Sequence, residues 1–482
     1  MRIRVLTAGV AACAVIISVV AACGGGYGGG SMGMGGGAYG GGTPGPTVAF
    51  STPAQAMNVN LGQAVKLAWS STNATSCTAS ASAMTAGTFS GAQSASGQAS
   101  VVPTATGNFT YSLSCTGSGG TMNATSPTVT VNPSILTQLA GVHAVTIGST
   151  IDPVTGQGNP YGLAIAPVTA GLVTAGDLVV CNFNNNANPA VEGEGTSIVG
   201  LHATAGATPY HIAADAKLRG CNALAVLPDD SISAAAFSAN MNPLVSASGT
   251  VNTPFASDTF ASPWGEAFAA AHGASPAALY VSNLDGSIDR IALNGDTQTS
   301  FTRIAHGFCG SGSPGAIYAP AGPTYDPSID TLYIVDTSSN SVVAFANVSS
   351  IGADGVTVNG DCNSVTNPPT PAPTFSGPSA ASARVIAHGA PLFTPITAAL
   401  LADGDLIVTN GDVNIGAGQM PNLAVEVSPV LPGGFVGQPL QLDTSSTPGA
   451  LFGIAATTDA QGHQIVYFND DNTNAVMMLA TP

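Results

Sequence analysis

Between about residues 140 and 482 one pattern recurs six times at uneven spacing. Each unit opens with Pro or Gly and a short apolar strand. A turn follows, then a second apolar strand ending in Asn or Asp, and then a third strand. The units open NPYGLAIAP, CNALAVLPDD, SPWGEAFAA, SPGAIYAP, FTPITAALLADG and GALFGIAATTDAQG. At about 57 residues per unit a fourth, more variable edge strand fits the remainder, and four-stranded units at that spacing are β-propeller blades. Radial closure protects sheet edges and explains so many short strands with no helical period. The expected fold class is all-β, ending in a six-bladed β-propeller over 140–482.

The charge is placed unevenly. Eight basic residues stand against 25 acidic ones, a net −17, which argues against nucleic acid as a partner. All the acids lie at Asp152 or later. That acidity either keeps an exported chain soluble or attracts cations.

Residues 1–22 read as a signal peptide: two arginines, an apolar run, then small residues before Cys23. Val20-Ala21-Ala22-Cys23 resembles the bacterial lipobox, which implies a lipidated Cys23 and membrane attachment without a spanning helix. Gly24 after the cysteine resembles outer-membrane cargo, so a cell-envelope location, on the periplasmic or the surface side, is expected. The glycine-rich stretch up to residue 46 reads as a flexible tether. Its Gly29-Gly30-Ser31-Met32-Gly33 matches a nucleophile elbow formally, but the strand and helix that motif needs are missing.

Residues 47–133 alternate in short strands, as in Val65-Lys66-Leu67-Ala68-Trp69 and Phe109-Thr110-Tyr111-Ser112-Leu113. LGQAVKLAWSSTNATSCTAS and ATGNFTYSLSCTGSGG resemble bacterial Ig-like modules, which implies a small β-sandwich with Cys77 paired to Cys115. Trp69 precedes the first cysteine instead of lying between the two, a departure from antibody-type domains. Such a module serves as a spacer or as a binding sandwich. Cys181, Cys221, Cys309 and Cys362 allow three pairings, of which Cys181–Cys221 with Cys309–Cys362 would link neighbouring units.

The repeat residues, above all the P-x-G entry and a strand ending in Asx such as Tyr333-Ile334-Val335-Asp336-Thr337, resemble NHL-type six-bladed propellers. Gluconolactonase and strictosidine-synthase-like enzymes share that shape. The resemblance implies a binding face where unit entries and second-strand ends surround a channel. The entries supply Asn159, Tyr161, Trp264, Glu266, His306, His388 and Phe452. Arg303-Ile304-Ala305-His306-Gly307 recurs as Val385-Ile386-Ala387-His388-Gly389, so the two histidines either sit near the axis as acid and base or make loop hydrogen bonds. The second-strand ends supply Asn182, Asn283, Asp285, Asp336, Asn410, Asp412, Asn469, Asp470 and Asp471, which either cap their own turns or coordinate calcium.

Glu266, Asn283, Asp336, Asn410 and Asp470 are the candidate metal ligands. The gluconolactonase pattern wants an acid in the first unit, where Tyr161-Gly162-Leu163 stands. Asn410-Gly411-Asp412-Val413-Asn414 lacks the glycine and glutamate of an EF-hand. No cofactor is expected, with calcium as the one exception the Asx ring admits. Two long polar loops, 184–196 and 410–422, rise on the same face. Recognition of an envelope protein or glycan there is the expected function, and metal-dependent hydrolysis or elimination at the channel is the alternative.

Overall fold

The computed structural model describes residues 43–255, 260–314, 316–360, 371–411, 415 and 419–482. Residues 1–22, read above as a signal peptide, Cys23, Cys362 and Asp412 lie outside the described residues. The chain is all-β and propeller-like, and residues 44–482 form one compact unit.

The N-terminal part follows from period-two alternation. Along Val65–Thr72, Val65, Leu67 and Trp69 are buried while Lys66 and Ser70 are exposed. Three small sheets enclose their apolar faces around Trp69, Phe89, Tyr111 and Leu113. The indole of Trp69 donates to the Ser94 carbonyl (3.0 Å) and meets Phe89 edge-on. Cys77 and Cys115 are disulfide-bonded, directly opposite each other on neighbouring antiparallel strands of one sheet. An antibody-type disulfide instead crosses between the two sheets.

Ser134 then caps a short helix, Ile135–Leu139, whose Ile135, Leu136 and Leu139 are buried against the sheets that follow. Nothing in the sequence pattern reveals this helix, because five residues are too few to show a 3.6 period.

Six sheets, antiparallel except at one edge pairing of sheet III, follow among the described residues, together with one separate hairpin. Sheet I runs Gly158–Ile165, Leu178–Asn184, Ser197–Leu201 and Tyr210–Ala214. Sheet II begins with Cys221–Val226 and Ile232–Ala236, and sheet III with Pro263–Ala269 and Ala278–Asn283. Sheets IV, V and VI begin with Pro320–Asp326, Pro395–Leu400 and Ile454–Thr458. The first strands pack on one another in this order, and that of sheet VI packs back onto that of sheet I. Sheet VI takes its outermost strand from the other end of the repeats, where Val145–Ser149 pairs with Ala475–Ala480. Cys181 and Cys221 are disulfide-bonded between sheets I and II. Cys309 is disulfide-bonded as well.

Glycine in the entry motif has a packing reason. A Cβ on Gly162 would lie 3.0 Å from the Ala223 Cα, one on Gly265 2.2 Å from the Ala321 carbonyl oxygen, and one on Gly322 2.7 Å from the Thr397 Cα. On Gly453 it would lie 2.3 Å from the Tyr161 carbonyl oxygen. The first strands therefore converge so closely that four of the six positions have no room for a side chain.

One expectation needs correction. The fourth unit's first strand is Pro320–Asp326, not SPGAIYAP; Ala316–Tyr318 instead pairs with Ser311–Ser313 in a separate hairpin. Pro320 and Pro323 look like loop punctuation, yet the strand accommodates them by a register shift between the two. An insertion over 352–382 lies at a sheet edge: its strands Val356–Asn359 and Thr374–Ser376 extend sheet III, the first of them pairing parallel to the end of Thr297–His306.

Candidate functional site

Strand register brings the unit entries and the second-strand ends together. Gly158 faces Asn184, Pro263 faces Asn283, Pro320 faces Asp336 and Pro395 faces Asn410. What these residues do there divides into three groups.

The first group plugs the centre. Tyr161 is buried and stacks between Phe183 and Phe452, with ring centroids 4.1 and 3.9 Å away. Trp264 meets Tyr161, Phe183 and Phe237 edge-on, the last at 5.3 Å. Burial holds the Tyr161 hydroxyl well above the usual phenol range. The cavity between these rings and the converging first strands is ≈ 30 Å³, lined by Tyr161, Trp264, Ile396 and Phe452 among others. That is room for a water molecule or two and for no organic substrate. Phe183 and Phe237 carry no sequence signal of this role, because each sits in or just after an apolar second strand, where an aromatic reads as ordinary core.

The second group is committed to local structure. Asp336 accepts from the Ser338 amide and hydroxyl and from the Ser339 hydroxyl. Asn283 donates to Asp289 (2.7 Å) and accepts from the Ala261 amide. Asn410 accepts from the Phe393 amide and donates to the Pro391 carbonyl. Asp470 accepts from the Thr473 amide. Asn182 and Asn469 donate to the Thr150 and Tyr161 carbonyls. Asp336 and Asp470 hold their own turns, while the asparagines tie together strands and loops that are distant in sequence.

His306 and His388 end the outer strands Thr297–His306 and Ala383–His388, not first strands. His306 faces Asp354 (3.3 Å) and Thr357, both from the sheet-edge insertion. A pair near the axis is therefore not formed: the repeated R/V-I-A-H-G segment is an edge strand, whose end lies far from the centre by construction.

Glu266 is buried, 7 % exposed, but its carboxylate points away from the centre into the wall between sheets II and III. It accepts from the Asn242 amide at 3.0 Å, and Oε2 has no partner. Burial pushes its carboxyl up to about 7 against an ordinary value of 4.5.

The third group forms a cleft of ≈ 350 Å³ beside the plug, between the ends of sheets I and VI and under the 184–196 loop. Asn159, with φ +68°, donates to Asp471 and takes its own amide to Asn474 Oδ1 (2.6 Å). The Asn159 and Asn184 Oδ1 atoms are both buried and unpaired. Burial first, and then the nearby Glu192, raise Asp471 to about 7, although the Asn159 bond works the other way. The cleft thus presents amide and carboxyl acceptors and no cation. Asn184 is not among the residues expected from sequence, although it opens the asparagine-rich loop that stands out there.

No family model and no curated protein matches this chain. Among solved structures it is similar to a gluconolactonase from Xanthomonas campestris (14 % identity, TM-score 0.43), over 70 % of this chain and 89 % of that one. It is similar to regucalcin, a calcium-binding protein from Agrobacterium tumefaciens (13 %, 0.40), over 70 % and 95 %. A protein of unknown function from Bacteroides thetaiotaomicron (13 %, 0.43) matches over 90 % and 98 %. Likeness at this level says nothing of what this chain binds.

Proposed function

We propose that this chain is a lipid-anchored envelope protein, held by Cys23 on its glycine tether, with an Ig-like spacer carrying a closed six-bladed propeller. The propeller binds a neutral glycan in the cleft between sheets I and VI. The observation that carries this reading is the pair of buried, unpaired amide oxygens, Asn159 Oδ1 and Asn184 Oδ1, in a cleft of ≈ 350 Å³. Buried acceptors without donors are costly, and sugar hydroxyls are donors of a kind that a cleft of this size admits. Asp471 and Glu192, with no cation in the lining, disfavour acidic glycans. Hydrolysis or elimination at the channel has less support, since the aromatic plug leaves ≈ 30 Å³ there and Glu266 points into a wall.

The test is a glycan array probed with the full chain. Retention on neutral hexose-containing glycans is expected, and absence of binding to every neutral glycan would sink the proposal.

A further inference from the structure

The sheet V acids occupy a place that no glycan site explains. Asp403, Asp405 and Glu426 bring one carboxylate oxygen each to within 4.8 Å of one another. Asp405 and Glu426 are buried, at 2 % and 0 % exposure, and no ion pair reaches any of the three among the described residues. Three carboxylates this close, without a cation, repel one another in a poorly solvated place.

The surroundings orient this trio. Glu426 accepts from the Ile135 and Leu136 amides, at 3.1 and 2.7 Å. Asp403 accepts from the Asn60 side chain at 2.9 Å, and its carbonyl accepts from Gln63. Ser428 donates to the Gly62 carbonyl at 2.8 Å. Asp405 Oδ2 alone is buried with no partner. It lies under Gly62, whose φ is +104° and on which a Cβ would fall 2.6 Å from that oxygen. Only glycine therefore fits over the unpaired oxygen.

We propose that Asp403, Asp405 and Glu426 form a divalent-cation site, of the oxygen-rich kind that suits calcium, at the junction of the N-terminal sandwich, the Ile135–Leu139 helix and sheet V. Carboxylates are the ligands calcium prefers, and carbonyls and water complete its shell. The ion would cancel the repulsion and fasten the sandwich to the sheets through the segment that carries Asn60, Gly62 and Gln63.

The test is calcium titration of the metal-stripped full chain by calorimetry, paired with melting in calcium and in chelator. One ion per chain is expected, with a melting temperature that rises with calcium concentration. Asp405→Asn should weaken binding by about tenfold or more by removing one ligand charge. Asp403→Asn, at a partly exposed position, provides the same test with less risk to folding, and Asn184→Ala should leave calcium binding unchanged. Absence of calcium heat and of any melting shift in the wild-type chain would overturn the proposal. So would binding that survives both carboxylate substitutions.

Discussion

Substituting Gly453 by alanine tests whether sheet VI really closes against sheet I. The added Cβ would lie 2.3 Å from the Tyr161 carbonyl oxygen, 2.4 Å from the Asn469 side-chain nitrogen and 2.9 Å from the Leu163 Cβ. Two of the three neighbours are backbone or core and cannot swing aside. Asn469 is the group that can move, but moving it breaks its bonds to the Tyr161 and Gly162 carbonyls, at 3.0 and 3.3 Å. Overpacking costs about 1–3 kcal/mol and a lost buried hydrogen bond about 1 kcal/mol, while alanine's smaller unfolded-state entropy returns about 0.4–1 kcal/mol. A net loss of roughly 2–3 kcal/mol follows. Gly352→Ala is the control, because nothing lies within 4 Å of its Cβ position, and its effect should stay within about 0.5 kcal/mol. Denaturant unfolding followed by tryptophan fluorescence reads both, since Trp264 is buried in the central plug and Trp69 among the N-terminal sheets. If Gly453→Ala shifts the unfolding midpoint no more than Gly352→Ala does, sheets I and VI do not meet as described.

Three further outcomes are expected. Glu266 keeps its proton more tightly in the folded chain (about 7) than unfolded (4.5), so its stabilising contribution is full below about pH 4.5 and is lost as pH rises through 7. Glu266→Gln should flatten urea-measured stability across that window and raise it by roughly 3–4 kcal/mol above pH 7, because each tenfold change in proton affinity corresponds to about 1.4 kcal/mol. The Cys77→Ala/Cys115→Ala double substitution opens a loop of sequence separation 38 and should destabilise the N-terminal sheets by about 2–4 kcal/mol, read from the Trp69 transition. Trp264→Ala should cost about 3–5 kcal/mol by emptying the aromatic plug, measured as the same midpoint shift.

The repeat was legible because each unit carries its own cues: an apolar first strand after Pro or Gly, and a second ending in Asx. Five of the six entry strands fall where those cues put them, and the fourth misleads only because Pro320 and Pro323 sit inside a strand. The outer strand Val145–Ser149 was not legible, since its partner Ala475–Ala480 lies at the far end of the chain and no local pattern records such a pairing. The same holds at the sites. Glu266 was legible as an acid at an entry, but period two does not say that it turns toward Asn242 in the wall. Asp403 and Asp405 lie in the turn before Leu406–Asn410 and Glu426 lies on Leu423–Val427, and only the fold brings their oxygens together.

The central claim is that the ligand sits in the cleft beside the plug and not in the channel. The most direct measurement is the affinity of a neutral glycan for the wild-type chain, Asn184→Ala and Glu266→Gln, by titration calorimetry with and without chelator. Asn184→Ala removes a buried acceptor that no internal bond uses, so it should weaken binding by about five- to tenfold without loss of stability. Glu266→Gln and chelator should leave the affinity unchanged. Binding that tolerates Asn184→Ala and is lost with Glu266→Gln or chelator would put the ligand in the channel and contradict the account.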